Sequence, residues 1–170
     1  PTLRRQRQMC IRDRSEEASQ PMISDKYKTI LFFNGEIFNH NELRKELEKD
    51  GEVFKTNHSD SEVVLIGLSK YGEDYINKFN GQFAITFIDS KTDSIYLIRD
   101  RLGQKPLFYS ISNSNLFFGS NLISVSKLSK NKKTDENQLL NYLNLVVVPS
   151  PNTIIKNIYK VEPGSVIKLQ

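Results

Sequence analysis

Two short stretches of this chain concentrate groups able to do chemistry on a small polar molecule. Asn34-Gly35 ends an apolar run, and Ser59-Asp60-Ser61-Glu62 precedes another. Asn-Gly after a strand is most simply a turn; the same pair also lets backbone approach a ligand closely, because glycine has no Cβ. Asp60, an acid at the start of an apolar run, reads first as a helix cap. His40 and His58 flank the two stretches, and the chain has one cysteine, Cys10. A thiol and an imidazole could form a nucleophile and its base, but neighbouring polar residues are the plainer reading of both histidines. No zinc-ligand spacing, P-loop or GxGxxG fingerprint is present, and no metal ligands are expected.

The elements that must position these groups follow from pattern. Thr29 to Phe33 is a continuous apolar run of strand length, expected to be buried on both faces. Asn39 or Asn41 can cap a helix with Leu43 and Leu47 on one face, ended by Gly51, before a short strand over Glu52 to Thr56. Ser59 and Glu62 have capping-box spacing ahead of the run Val63 to Leu68, a mostly buried helix ending near Tyr71-Gly72. A short helix around Asp74 to Phe79 stops at Asn80-Gly81. Strands over Gln82 to Asp89 and Ser94 to Asp100 flank a polar turn, and a second hairpin joins Leu107–Ser112 to Leu116–Gly119 about Asn113-Ser114. A helix near Thr134 to Leu143 takes Thr134 as its cap. Pro149 and Pro151 force an extended or turned segment, and Ile158–Val161 and Ser165–Leu169 close the chain as strands about Pro163-Gly164. The class is α+β with mostly antiparallel sheets.

At 170 residues, 38% hydrophobic and 10% aromatic, the chain suits one folded domain with a real core. No apolar run is long enough to span a bilayer, and the arginine-rich start does not read as a secretory signal. One cysteine excludes an internal disulfide framework and suits a reducing compartment, so a cytoplasmic location is expected. Arg4, Arg5, Arg7, Arg12 and Arg14 against Asp13 account for the whole formal net charge of +4, leaving the remainder balanced. Neither nucleic acid nor membrane is therefore an expected partner. Residues 1–14 use arginine where the rest is lysine- and asparagine-rich, and they are expected to be a non-native or disordered segment. A basic arm touching RNA is the rival reading, weakened by the lack of interleaved aromatics.

Four motifs in order carry a family resemblance. Asn34-Gly35-Glu36-Ile37-Phe38-Asn39 resembles the NGEIYN motif of class II glutamine amidotransferases, which share the N-terminal-nucleophile (Ntn) hydrolase fold. Ser59-Asp60-Ser61-Glu62, then Phe79-Asn80-Gly81-x-Phe83-Ala84, then Arg99-Asp100-Arg101-Leu102-Gly103-x-Lys105-Pro106-Leu107-Phe108 follow in the family's sequence. The last, with Val148-Pro149-Ser150-Pro151-Asn152-Thr153-Ile154 and Tyr159-Lys160-Val161-Glu162-Pro163-Gly164, is similar to the asparagine synthetase branch. The resemblance covers Gln20 to the C-terminus. It implies an αββα sandwich, here expected to lack its first strands, with 15–170 a partial amidotransferase domain and 145–170 leading toward an absent synthetase domain.

The implied reaction is hydrolysis of glutamine to glutamate and ammonia, the ammonia serving to amidate aspartate at the expense of ATP. In the family an N-terminal cysteine attacks the carboxamide with its own α-amino group as base; the two pKa values, near ~8 and ~8.5, make that proton transfer nearly balanced. By resemblance, the Asn34 side chain and Gly35 N–H form the oxyanion hole, Asp60 holds the substrate α-ammonium, and Glu36 lies beside it. Asp100, Arg101 and Lys105 are read as a charged cluster fixing a turn. ATP and magnesium are expected only in the synthetase domain, no cofactor in this chain. L-glutamine and that domain are the expected partners, and a homodimer is compatible.

Met9-Cys10 resembles the family's start, but Ile11-Arg12-Asp13-Arg14 does not continue as Cys-Gly-Ile does, and eight residues precede Met9. The space between Cys10 and Asn34 is short for the family's strands, and nothing in it matches the family's grip on the substrate carboxylate. Cys10 is therefore expected to be coincidental and the isolated chain inactive. A pseudo-amidotransferase binding module, or an amidotransferase for another acceptor such as a surface sugar, are the alternatives.

Overall fold

The computed structural model describes residues 19–170; the expectations for residues 1–14 and Cys10 lie outside it. Strand β1 (Met22–Ser24) leads to β2 (Thr29–Ile37), then to α1 (His40–Lys49) and α2 (Asp60–Tyr71). A 3₁₀ helix over Gly72–Lys78 feeds β3 (Gly81–Asp89) and β4 (Ser94–Arg99). The hairpin β5 (Phe108–Ser112) and β6 (Asn115–Gly119) precedes α3 (Leu122–Leu128) and α4 (Glu136–Leu145), and β7 (Tyr159–Lys160) and β8 (Val166–Leu169) follow. These form two antiparallel sheets, one ordered β1-β2-β3-β4-β8 and one ordered β6-β5-β7.

Alternation along β2 sets up the layers. Leu31, Phe33 and Ile37 are buried on one face and pack with Leu43 and Leu47 of α1 and with Val63, Val64 and Leu65 of α2. Each such side chain contributes about 1.5–3 kcal/mol on burial. Phe32, on the opposite face, meets Phe118 of β6 edge-on at 5.0 Å between ring centroids. Ala84 and Leu97 join it there, packing against Leu107, Val161, Tyr109, Leu116 and Phe118. Val125 of α3 packs over Gly119 on the far side of the smaller sheet. Helices, sheet, sheet and helix therefore stack as the expected αββα order.

Several local expectations are overturned. Asn34-Gly35 is no turn: β2 runs through it to Ile37, because β3 pairs along its whole length, Asn34 opposite Ala84 and Gly35 opposite Phe83. Residues 52–56 form no strand; Glu52 turns inward and meets Lys26, Tyr27 and Lys70. The capping box does not form, since Ser59 makes no side-chain cap bond and Glu62 bonds elsewhere. Asp135, not Thr134, caps α4, accepting from the N–H groups of Asn137 and Gln138. The two closing strands do not pair with each other; β7 joins β5 and β8 joins β4, so the Pro163-Gly164 turn links the two sheets. Strand β1 and α3 carry too few periodic residues to have been read from pattern.

Candidate active site

The outer edge of β2 is the organising feature of the site. Strand β1 pairs with β2 only as far as Leu31. Farther along, Phe33 is closed by one side chain: its N–H donates to Gln20 Oε1 at 2.7 Å, and Gln20 Nε2 donates to its carbonyl at 2.6 Å. Ile37 is closed by two: its N–H donates to Asp60 Oδ2 at 3.0 Å, and its carbonyl lies 2.8 Å from His40 Nδ1. Between them lies Gly35. In an antiparallel ladder alternate residues turn their peptide groups to opposite edges. Its partner Phe83 exchanges bonds with Asp100 on the β4 side, so Gly35 presents its N–H and carbonyl outward, in line with Phe33 and Ile37.

Glycine is required at this point by the close approach of β3. A Cβ on Gly35 would overlap the Gln82 carbonyl oxygen and lie 2.7 Å from Phe83 Cα, both backbone atoms that cannot yield. Gly35→Ala is expected to cost about 3 kcal/mol by forcing these strands apart, read as a lowered urea midpoint. An unchanged midpoint would contradict this reading of the contact.

Asn34 points to the face shared with the smaller sheet, where its side chain is exposed and Nδ2 donates to Ser120 Oγ at 3.0 Å. A carboxamide nitrogen carries two hydrogens, so one remains for a ligand. Ser120, just past β6, was not legible as a site residue; nothing in its local sequence marks it. Glu36 shares the Asn34 face by strand alternation and is partly buried.

Asp60 opens α2 and is partly buried. Burial pushes its carboxyl above the usual aspartate range, and the nearby Glu36 charge adds to that; the Ile37 N–H, the charge of His40 and the Ser61 N–H oppose it without cancelling it. The loop before Asp60 is held by two buried charges. Glu62 accepts from the N–H groups of Lys55 at 2.7 Å and Thr56 at 2.8 Å, and from Thr56 Oγ1 at 2.7 Å. Arg44 donates to the carbonyls of Thr56 at 2.6 Å and Ser59 at 3.1 Å, its guanidinium stacked 4.1 Å over the Phe54 ring. Asn39 sits at the start of α1 but does not cap it with its side chain; it donates to Lys78 O at 2.9 Å and accepts from Asn80 N at 3.0 Å, fastening the NGEIFN segment to the Asn80-Gly81 turn.

The expected charged cluster after β4 is built differently. Asp100, 1% exposed, accepts from the N–H groups of Phe83, Leu102, Gln104 and Lys105 at 3.0–3.2 Å. Arg99 donates to the carbonyls of Lys105, Gly103 and Val161. Arg101 is exposed and Lys105 contributes its backbone to both, so the turn is held by charge-to-peptide bonds from Arg99 and Asp100. A cavity of about 660 Å³ opens beside it, lined by Phe38, Gly81, Asp100 and Arg101 among others; Asn34, Glu36 and Asp60 do not line it. Among the described residues, no group of three or more His, Cys, Asp or Glu is placed to hold a metal ion, and no helix is long and apolar enough to cross a membrane.

The predicted residues are thus brought to one place: Asn34, Gly35 and Glu36 in succession on β2, with Asp60 bonded to the next residue. The chain resembles known proteins in the same sense. It is 36% identical over 150 residues to asparagine synthetase [glutamine-hydrolyzing] 1 of Bacillus subtilis, covering 88% of this chain and 24% of that protein. With asparagine synthetase [glutamine-hydrolyzing] 3 of the same organism it shares 35% identity over 155 residues, 88% of this chain and 25% of the relative. The chain therefore spans about a quarter of the length of these curated relatives. In fold it matches the glutamine phosphoribosylpyrophosphate amidotransferase of B. subtilis, with a TM-score of 0.56, 20% identity and coverage of 68% of this chain and 27% of that one. A structure of the allosteric regulatory enzyme of purine biosynthesis matches with a TM-score of 0.62 and 18% identity, covering 89% of this chain and 29% of that one. Residues 2–170 match the family described as the glutamine amidotransferase domain. With the Asn34-Gly35 edge and Asp60 placed together on the same frame, the chain belongs to the glutamine amidotransferase domain family.

Proposed function

We propose that this chain is the glutaminase part of an asparagine synthetase, binding L-glutamine at Asn34, Gly35, Glu36 and Asp60 so that its carboxamide is converted to glutamate and ammonia. The supporting observation is the β2 edge at Gly35, left open by the described residues and bracketed by Gln20 on Phe33 and by Asp60 and His40 on Ile37. Asn34 Nδ2 and Gly35 N–H belong to successive residues and as a pair of donors would suit an oxygen on which negative charge develops; losing one such donor typically costs about 10²–10³ in rate. Asp60, with its remaining oxygen, suits a charge-assisted bond to an α-ammonium. The attacking thiol is not among the described residues.

In this reading ammonia passes to a synthetase domain of the longer polypeptide, where ATP and magnesium would act, in the cytoplasm, with aspartate as acceptor. A contact with a further domain is favoured by α4, none of whose residues is buried and whose Leu140, Leu143 and Leu145 are largely exposed; a helix with such apolar residues ordinarily covers them.

Calorimetric titration with L-glutamine, with ammonia assayed in the same samples, tests the proposal. Saturable heat with L-glutamine and little with L-asparagine is expected, and no ammonia from the chain by itself. Absence of glutamine binding would overturn the reading. Ammonia release abolished by Cys10→Ala would overturn the assignment of the thiol as coincidental. Ser120→Ala should weaken glutamine binding about 3–10-fold with little change in Tm, since one neutral hydrogen bond orienting Asn34 is lost; an unchanged affinity would remove Ser120 from the site.

A further inference from the structure

Gln20 shows what a carboxamide does at the edge of β2. Its two polar atoms meet the N–H and the carbonyl of Phe33 together, at 2.7 and 2.6 Å. An outward-facing strand residue offers one donor and one acceptor side by side. A primary amide answers both, whereas a carboxylate has only acceptors and would face the carbonyl oxygen with charge. Gly35 is the next outward-facing residue, and Ile37, the one after, is closed by Asp60 and His40. Among the described residues the edge thus has one open place, preceded by a worked example of what fits it.

Resting on the glutamine reading above, in which the Gly35 N–H faces the carboxamide oxygen, we propose that the Gly35 carbonyl accepts from the substrate NH₂ group. The Gly35 carbonyl is then the group that distinguishes glutamine from glutamate. The spacing agrees. Two strand residues cover about 6.8 Å, and the four bonds from the carboxamide carbon to the α-nitrogen of extended glutamine cover about 5 Å. An ammonium would therefore arrive within hydrogen-bond reach of the Asp60 carboxylate at Ile37. The absence of a side chain at Gly35 serves the close approach of β3, on the side away from the proposed ligand.

The experiment compares three ligands by NMR on the full chain, labelled with ¹³C and ¹⁵N. They are L-glutamine, L-2-amino-5-oxohexanoate (a methyl group in place of NH₂) and L-glutamate. L-glutamine should shift both the amide nitrogen and the carbonyl carbon of Gly35. The ketone should bind at least about 10-fold more weakly and shift the nitrogen alone, because the Gly35 carbonyl would be left unpaired. L-glutamate should not bind at pH 7.5. A ketone that binds as tightly as glutamine, or a glutamine complex in which the Gly35 carbonyl does not shift, would overturn the inference and leave the glutamine reading standing. Silence from all three ligands would overturn both.

A second arm needs no ligand. Gln20→Glu repeats the amide-to-acid comparison at Phe33. It should lower the urea midpoint relative to the parent chain at pH 8, and much less at pH 4, where a protonated acid can again donate. A deficit equal at both pH values would show that this edge does not read the amide.

Discussion

Asp60→Asn is expected to remove measurable glutamine binding while leaving the fold as stable as before, or more so. The two effects separate because the two oxygens of one side chain have different tasks. The Asp60 oxygen that accepts from Ile37 N–H is replaced by an amide oxygen that accepts equally well, so the strand end stays closed. The negative charge is lost, and with it a charge-assisted contact to the substrate ammonium of about 2–3 kcal/mol, about 100-fold in affinity. Burial already disfavours the Asp60 charge and holds its folded pKa above the unfolded one. The folded chain therefore binds that proton more tightly than the unfolded chain does. Its contribution to stability grows as pH falls through the raised pKa and is absent at neutral pH, where the neutral Asn removes a cost. Glutamine binding should fall away on acidification at a pH above that of an ordinary aspartate. Calorimetry across pH, paired with urea denaturation, checks both. A variant that loses binding and stability together would show Asp60 to be structural only.

Asp100→Ala is expected to be the most destabilising single change in the described chain outside the hydrophobic core. Four peptide N–H groups converge on this carboxylate, and its own N–H and carbonyl tie the turn to Phe83, Gly103 and Gly164. Burial by itself would raise the Asp100 pKa, but bonds from the N–H groups of Gln104, Lys105, Phe83 and Leu102 outweigh it and hold the carboxyl below the usual range. Truncation leaves those donors without an acceptor, a loss of about 3 kcal/mol or more. A depressed folded pKa means the stabilisation is complete above the unfolded value, near ~3.9, and is lost as pH falls through the lower folded value. Urea midpoints from pH 7 to pH 2 should show a steep acid limb in the parent chain that is much reduced in the Ala variant. The limb persisting unchanged would place the acid sensitivity elsewhere. Because β3 carries Phe83 opposite Gly35, the same variant should broaden the Gly35 amide signal.

The antiparallel sheets were legible because apolar runs of strand length in 82–89 and 94–99 flank a polar turn, and the motif order supplied the αββα layering. Asn34, Gly35, Glu36 and Asp60 were legible only as a set; each alone admitted a bland reading as turn or cap. The turn reading failed because register outranks local propensity: nine residues of β3 continue the ladder through Asn34-Gly35, and a turn there would have left Gln82 to Ala84 unpaired. The capping box failed for a similar reason. Glu62 had the right spacing, but the loop at 55–56 offered it two N–H groups and a hydroxyl, more than one cap could. Gln20, Ser120 and His40 reach their partners across 13, 86 and 3 positions. Gln20 and Ser120 act through long-range contacts that no periodicity encodes, and the His40 contact looks in sequence like an ordinary helix start.

A crystal of the chain soaked with L-glutamine would locate the substrate. The carboxamide oxygen is expected within hydrogen-bond distance of Gly35 N and Asn34 Nδ2, with the ammonium on Asp60. Glutamine bound in the cavity beside Arg101, or lying along β2 with its carboxamide away from Gly35, would contradict this placement.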